Sequence, residues 1–184
     1  MIEELTHIKL HKEDHRMTLD ITKITQEYTV KRLGEEDFPA ILALYGGNPQ
    51  YFAAMNQPVP EGGLEEDMAA VPEGKSLEDK YWLGFFQEDQ LIALLELVTS
   101  YPEDNTAYVG LFMVAADRQG HGLGTQLMNQ IFAWLKEGGF AWVELSYTYG
   151  NAQSERFWFK NGFFPTGAIR PMEDYVAISL QKHL

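Results

Sequence analysis

The strongest indication of the fold is a glycine-rich stretch at residues 117–125, Asp117-Arg118-Gln119-Gly120-His121-Gly122-Leu123-Gly124-Thr125. It lies between an apolar segment with strand character and a segment with helical periodicity. Three alternate glycines leave the start of the helix without Cβ atoms, so the backbone N–H groups there are free to face an anion. Arg118 adds a positive charge beside them. The pattern predicts an anion-binding turn that suits a diphosphate. A glycine turn without a ligand is disfavoured, because three glycines cost backbone entropy with no evident packing benefit.

The segments around this turn alternate between strand and helix patterns. A stripe of apolar residues at helical spacing runs through residues 123–135 and ends at Gly138-Gly139. Residues 48–80 are rich in proline and acidic residues and predict short helices joined by loops. Strands are predicted at 28–32, 81–87, 91–100, 106–114, 142–147, 163–170 and 175–180, and further helices at 37–45 and 151–161. This order indicates an α/β layout around one mixed sheet.

Residues 1–20 are polar and weakly patterned, and we interpret them as an appendage to a domain over residues 21–184. His7, His11 and His15 would align on one face of a helix, where two imidazoles could bind a transition metal. A solvated helix without metal is the preferred interpretation, because no carboxylate frames the histidines. The sequence leaves open whether Met1 or Met17 is the start.

Length and composition exclude several classes of protein. The chain has 184 residues, which favours one domain, and its 45% hydrophobic content excludes a disordered tail. Cysteine is absent, which removes disulfides, thiolate zinc sites and cysteine nucleophiles and fits a reducing compartment. The net charge of −13 disfavours nucleic-acid binding. The charged N-terminus and strand-sized apolar runs predict a cytoplasmic protein without a membrane partner.

Two nucleotide-binding motifs resemble the glycine turn. The dinucleotide fingerprint requires a third glycine where the chain has Thr125, although Glu144 does follow Gly124 by twenty residues in the next strand. A dinucleotide fold would also open with its strand and glycine turn together, whereas here an antiparallel meander comes first. A P-loop requires a lysine that is missing before Thr125. A nicotinamide-dependent oxidoreductase is therefore disfavoured, and a P-loop protein is excluded.

The turn resembles the Q/R-x-x-G-x-G/A signature of the GNAT acetyltransferase superfamily, with Gln119, Gly122 and Gly124 in the signature positions. A second block, residues 151–163 (NAQSERFWFKNGF), resembles the N-x-x-A-x-x-F-Y-x-x-x-G-F block that follows the next strand in that family. The order and spacing of elements agree with the family over roughly residues 28–182. Asn151, Phe157, Gly162 and Phe163 match the block, whereas Ser154 replaces the usual alanine and Trp158 the usual tyrosine.

The resemblance implies a single-domain GNAT-like α/β fold. Its central sheet would be mixed and mostly antiparallel, with a splayed parallel strand pair and helices on both faces. Acetyl-CoA, as cosubstrate, would lie between the strands at 106–114 and 142–147. The implied cofactor-binding residues are Met113, Val114, Ala115, Arg118, Gln119, Gly120, His121, Gly122, Leu123, Gly124, Thr125, Asn151 and Trp158.

The resemblance further implies direct attack by an amine on the thioester, without an acyl-enzyme and without a metal. Glu96 lies in the apolar strand LIALLELV and is the candidate base, with Glu144 as its rival; a structural ion pair is the alternative for each. Trp158 has no titratable proton to give the leaving thiolate. The thiolate leaves unaided or with water, or Tyr147 or Tyr149 acts as the acid, or turnover is lost.

The expected function is an N-acetyltransferase that acts on a primary amine of a small molecule or peptide. The alternative is a non-catalytic acyl-CoA-binding or regulatory module, which Trp158 favours. The acidic residues at 61–67 and the net charge favour a cationic amine, although a charge run is more often a solvated face. The aromatic residues Tyr45, Tyr51, Phe52, Tyr81 and Trp82 are assigned to the core rather than to an acceptor pocket. Whether two copies form a homodimer is left open.

Overall fold

A computed structural model describes residues 19–184 of the chain. The described strands are β1 (Thr29–Arg32), β2 (Lys80–Gln87), β3 (Gln90–Thr99), β4 (Thr106–Val114), β5 (Trp142–Thr148), β6 (Phe164–Pro171) and β7 (Val176–His183). The α-helices are α1 (Phe38–Gly46), α2 (Pro49–Ala53), α3 (Leu64–Ala69), α4 (Leu123–Glu137) and α5 (Ala152–Lys160). Every predicted strand and helix between residues 28 and 184 is present, with bounds shifted by a few residues. The pattern did not predict three short 3-10 turns, at Ile21–Lys23, Glu35–Asp37 and Ala116–Arg118.

The strands form one sheet in the order β1-β2-β3-β4-β5-β7-β6. Only β4 and β5 pair in parallel; the other neighbouring strands are antiparallel. The crossover between the parallel strands is α4, as a parallel connection requires. The predicted mixed, mostly antiparallel sheet is confirmed.

Each face of the sheet carries its own apolar cluster. On one face, α1, α2 and α3 bury Ile41, Leu44, Phe52 and Leu64 against the sheet. On the other face, α4 buries its predicted stripe, and α5 adds Trp158. Four of the five aromatic residues assigned to the core are buried as predicted, and only Tyr51 keeps partial exposure. Helices on both faces leave the ends of the strands as the place where a cleft can open.

Two β-bulges set which side chains share a face. One lies in the β2–β3 ladder beside Phe85 and Phe86, where the register shifts by one residue. The other lies in the β3–β4 ladder, where Leu97 pairs with Val109 but Glu96 pairs with Leu111. Gly110 is therefore the extra residue of β4, and bulges of this kind bend a strand away from its neighbour.

The N-terminal side of the described chain packs onto the domain. Leu19 is buried in the cluster beneath α4, and the Asp20 carbonyl accepts a hydrogen bond of 2.9 Å from the Trp134 indole. These two residues belong to the segment that we interpreted as an appendage. His7, His11, His15 and Met17 lie outside the described residues. Within residues 19–184 no helix has the length and apolar character needed to cross a membrane.

Candidate active site

A cleft of about 310 Å³ opens where the parallel strands part. The ladder between β4 and β5 ends at the pair Val109 and Leu145, although β4 continues to Val114 and β5 to Thr148. Beyond that pair, no strand within residues 19–184 pairs with the edge of β4 that faces β5. Backbone donors and acceptors along this edge are available to an extended ligand, as an added strand would use them.

The glycine turn closes one end of the cleft. Gly120 and Gly122 have φ of 80° and 90°, a left-handed conformation that favours glycine. No backbone N–H from 120 to 125 donates a hydrogen bond to a group in residues 19–184. A methyl group at Gly124 would lie 3.1 Å from Phe157 Cε2, so this glycine permits close packing of α4 on α5. The turn presents unpaired N–H groups at the N-terminus of a fifteen-residue helix, which is an anion site by geometry.

A chain of three side-chain amides holds the mouth of the cleft together. Gln119 Nε2 donates to Asn48 Oδ1 at 2.7 Å and to the Val114 carbonyl at 2.8 Å. Gln153 Nε2 in turn donates to Gln119 Oε1 at 3.0 Å. The first helices, the glycine turn and α5 are thereby connected through Gln119, the residue in the first position of the signature.

The structure brings most of the predicted cofactor residues together but leaves four outside the cleft. Met113, Val114, Gln119, Gly120, Gly122, Gly124, Thr125, Asn151 and Trp158 line it. The predicted residues that do not line it are Ala115, Arg118, His121 and Leu123.

Arg118 lies next to the glycine turn in sequence, but its side chain does not line the cleft. Its guanidinium donates to Gln87 Oε1 at 2.7 Å and to Gln90 Oε1 at 3.3 Å, which turns it toward the β2–β3 connection. The backbone N–H of Arg118 donates to the Ala115 carbonyl, and the backbone N–H of Ala115 donates to the Ile92 carbonyl. The structure therefore shows neither residue directed into the cleft.

Several lining residues had no place in the sequence prediction. Lys160, at the end of α5, brings a positive charge to a cleft in an acidic chain. Asn48 and Gln50 reach it from the loop between α1 and α2 and from α2. Gly110 was also missed, although an isolated glycine inside a predicted strand is itself a signal for a bulge.

Trp158 stands in an aromatic wall of the cleft. Its ring makes edge contacts with Phe157 at 4.9 Å and Phe163 at 5.2 Å, and it lies tilted against Phe112 at 6.3 Å between centroids. The residue is 6% exposed. Its indole nitrogen forms no hydrogen bond with any group in residues 19–184. The nitrogen is also not completely buried. The indole N–H is therefore a donor without a partner among residues 19–184, on a ring held by its aromatic neighbours.

Neither predicted tyrosine acid is well placed for proton transfer. Tyr147 lines the cleft, but its hydroxyl donates to Glu155 Oε1 at 3.0 Å. Burial, with this hydrogen bond and the charge of Glu155, raises the pKa of Tyr147 to about 12. Tyr149 lies outside the cleft and is 71% exposed. Neither of the two predicted tyrosines is therefore suited to donate a proton to a leaving group in the cleft.

Glu96 lies against the bulge at which the cleft begins. Gly110 lines the cleft, and a methyl group there would lie 2.9 Å from Glu96 Cδ and from Glu96 Oε2. Glu96 Oε1 accepts the Lys80 ammonium at 2.9 Å, whereas Oε2 accepts no hydrogen bond from residues 19–184. One carboxylate oxygen is anchored by Lys80, and the carboxyl group lies beside the lining residue Gly110.

Two tyrosines, Tyr45 of α1 and Tyr51 of α2, lie near Glu96, and Tyr108 and Tyr175 lie near Tyr51. Burial raises the pKa of Tyr51 to about 12, and the nearby Tyr175, Glu96 and Tyr108 add to the shift. Burial also raises the pKa of Tyr45, with further contributions from Asp67 and Glu96. Tyr45 and Tyr51 therefore stay neutral at neutral pH and lie close enough to Glu96 for its charge to act on them.

Glu144, the rival base, lies on β5, two strands away from Glu96 in the sheet. In the ladder it pairs with Tyr108, whose hydroxyl donates to Ser146 Oγ at 3.2 Å. Burial raises the pKa of Glu144, and Arg170 partly offsets the shift. Neither Glu144 nor Glu96 lines the cleft, but Glu144 lies on the paired side of the point where β4 and β5 part.

Comparisons with known proteins agree with this geometry. The model of the Acetyltransferase (GNAT) family matches residues 28–163. No curated protein sequence matches the chain.

Solved structures share the fold at low sequence identity. An acetyltransferase from Thermus thermophilus is 20% identical, with a TM-score of 0.67 over 85% of this chain and 97% of its own. The ribosomal-protein-S18-alanine N-acetyltransferase from Escherichia coli is 20% identical, with a TM-score of 0.61 over 85% and 93%. An acetyltransferase structure from Bacillus anthracis, in complex with acetyl coenzyme A, is 24% identical, with a TM-score of 0.51 over 58% and 64%.

Proposed function

Because the chain belongs to the GNAT acetyltransferase family, which uses acetyl-CoA, we propose that it acetylates a primary amine of a small molecule or a peptide. The observation that carries this proposal is the cleft itself. It joins a turn of unpaired N–H groups to a free strand edge, and it begins beside a carboxylate whose second oxygen is unoccupied.

The residues of the cleft fit the cosubstrate. The glycines with left-handed backbone conformation leave N–H groups for a diphosphate. Lys160 adds a positive charge at the cleft, although the chain as a whole is acidic. The edge of β4 from Gly110 to Val114 suits the amide groups of an extended arm. When bound, acetyl-CoA supplies a thioester whose carbonyl carbon is open to a nucleophile.

Glu96 is the proposed base, and its free oxygen Oε2 would accept the ammonium proton of the acceptor. Direct attack of the amine on the thioester requires an unprotonated amine. A carboxylate at the start of the cleft would remove the proton before this attack. Two features favour Glu96 over Glu144. Its carboxyl group contacts the lining residue Gly110, and it lies at the end of the ladder where the strands part.

Trp158 is proposed to stabilise the departing sulfur by hydrogen bonding. An indole N–H can donate to a thiolate but cannot transfer its proton at neutral pH. The thiolate therefore leaves as an anion, which a thiol of ordinary pKa tolerates near neutrality. Tyr147 does not assist, because its hydroxyl is held by Glu155.

A cationic acceptor fits the surroundings of Glu96. Aromatic faces with a carboxylate attract an ammonium group and disfavour an anion. Tyr51 lines the cleft, and the charge of the nearby Glu96 contributes to the raised pKa of its hydroxyl. We propose an amine whose cationic end enters beside Tyr51 and Glu96.

Release of free CoA thiol from acetyl-CoA, with a panel of amines and matched alcohols, tests the proposal. We expect release that depends on the amine, an acetylated amine identified by mass spectrometry, and no reaction with the alcohols. Transfer to the alcohols alone would contradict an N-acetyltransferase.

The second candidate is an acyl-CoA-binding module without turnover. It is favoured by Trp158 at the position where the family block has tyrosine, and by the engagement of Tyr147 with Glu155. Acetyl-CoA binding without thiol release for any amine in the panel would support this candidate over the enzyme.

A further inference from the structure

The Lys80 ammonium is enclosed by three oxygen atoms on the acceptor side of the sheet. It lies 2.9 Å from Glu96 Oε1 and 2.6 Å from the Ala70 carbonyl, and it also donates to the Asp67 carbonyl. Its side chain is 4% exposed. An ammonium group has three N–H donors, and all three are used.

This pair makes a charged residue tolerable inside an apolar strand. Glu96 lies between Leu95 and Leu97, both fully buried, and its own side chain is 23% exposed. Burial of a lone carboxylate or ammonium is costly, whereas a hydrogen-bonded pair offsets much of that cost. Within residues 19–184, Lys80 is the only cation within 4 Å of Glu96.

The other groups that face Glu96 cannot replace Lys80. Tyr45 from α1 and Tyr51 from α2 approach it, and Tyr108 from β4 and Tyr175 from the β6–β7 connection lie beside Tyr51. A tyrosine side chain carries no positive charge in either protonation state. Asp67 of α3, which also influences Tyr45, carries a negative charge. None of them stabilises the charge of Glu96 as a cation does.

We propose that Lys80 is a positioning residue that holds Glu96 Oε1 and thereby leaves Oε2 for the proton of the acceptor. The ammonium occupies Oε1, so the carboxylate plane is fixed and Oε2 remains for the acceptor proton. The Asp67 and Ala70 carbonyls come from the end of α3 and the residue that follows it. Lys80 therefore also fastens the α3 segment beside the base. The inference rests on the proposed role of Glu96.

Four variants test the role of Lys80 through the pH profile of kcat/KM. Lys80→Met and Lys80→Gln remove the charge, and Gln keeps donors for the two carbonyls, so it serves if Met impairs folding. Lys80→Arg keeps the charge, and Glu96→Gln removes the titrating group. We expect the acid limb to move to higher pH by about one unit or more in Met and Gln, and to stay in place in Arg. A uniform loss of rate with an unmoved acid limb would overturn the proposal.

A second readout separates this inference from the proposed function. Carbon-13 labelling of the glutamate carboxyl groups allows the Glu96 titration to be followed by NMR, with Glu96→Gln identifying its signal. If Glu96→Gln keeps full activity while Lys80→Gln still moves the Glu96 titration upward, the catalytic role fails and the pairing holds. If Glu96→Gln loses activity and the Glu96 titration is unmoved in both uncharged variants, the role of Lys80 fails.

Discussion

Gly110→Ala tests whether the position of the Glu96 carboxylate matters for catalysis. The added methyl group would lie 2.9 Å from Glu96 Cδ, whereas non-bonded carbon atoms pack at about 3.5–4.0 Å. The carboxyl group must therefore retreat by roughly 0.6–1.1 Å. Gly110 has no left-handed backbone conformation, so the substitution adds this clash without backbone strain.

A displacement of about 1 Å in a catalytic group can cost on the order of 10²-fold in rate. We expect kcat/KM to fall by roughly that factor, equivalent to about 2.7 kcal/mol of transition-state stabilisation, while acetyl-CoA affinity stays within about threefold. The assay is thiol release at saturating acetyl-CoA with varied amine, combined with calorimetric titration of acetyl-CoA.

Gly46→Ala is the matched control. Gly46 ends α1, and a methyl group there meets nothing within 4 Å. We expect this variant to keep its activity within about twofold, as surface substitutions usually do. Unchanged kcat/KM in Gly110→Ala, with the fold intact, would refute the placement of Glu96 as the base.

Three further predictions follow from the site. Gly122 and Gly63 each precede a helix in a left-handed backbone conformation, with φ of 90° and 81°. Gly122→Ala and Gly63→Ala should therefore each lower the free energy of unfolding by about 1–2 kcal/mol. Only Gly122→Ala should also weaken acetyl-CoA binding, by about tenfold in calorimetry. Trp158→Tyr introduces a phenol that titrates, so an alkaline limb should appear in the kcat/KM profile where the original protein has none; two identical profiles would contradict the role of the indole. Because burial raises the pKa of Glu144, this group costs stability as pH rises through that pKa, so Glu144→Gln should raise the thermal midpoint at pH 7 and lose this gain near pH 4; a gain that persists at pH 4 would contradict the shift.

The elements of the fold could be predicted because local signals agree with them. The glycine turn and the stripe of α4 mark a strand-to-helix transition, and the glycines and turn residues around them mark the ends of strands. The splayed strands and the lining of the cleft follow from that turn together with the resemblance. Asn151 and Trp158, which were predicted from a block at fixed spacing, both line the cleft.

The partners within the site could not be predicted, because they depend on register. Gln87 pairs with Gln90 and Phe86 with Leu91, and an unbroken ladder would then pair Tyr81 with Glu96. The one-residue bulge instead pairs Trp82 with Glu96, which brings Lys80 to the face that carries the carboxylate. A shift of one residue decides whether the ion pair exists, and no local pattern reports that shift. Arg118 illustrates the converse, because its partners Gln87 and Gln90 lie in a distant hairpin.

Calorimetric titration with acetyl-CoA, with NAD as a control ligand that also carries a diphosphate, tests the central claim most directly. We expect one acetyl-CoA site per chain and no measurable heat with NAD. The reason is that the glycine turn lies beside a free strand edge, which a dinucleotide-binding fold does not provide. Absence of acetyl-CoA binding by the folded protein, or equal binding of NAD, would contradict it.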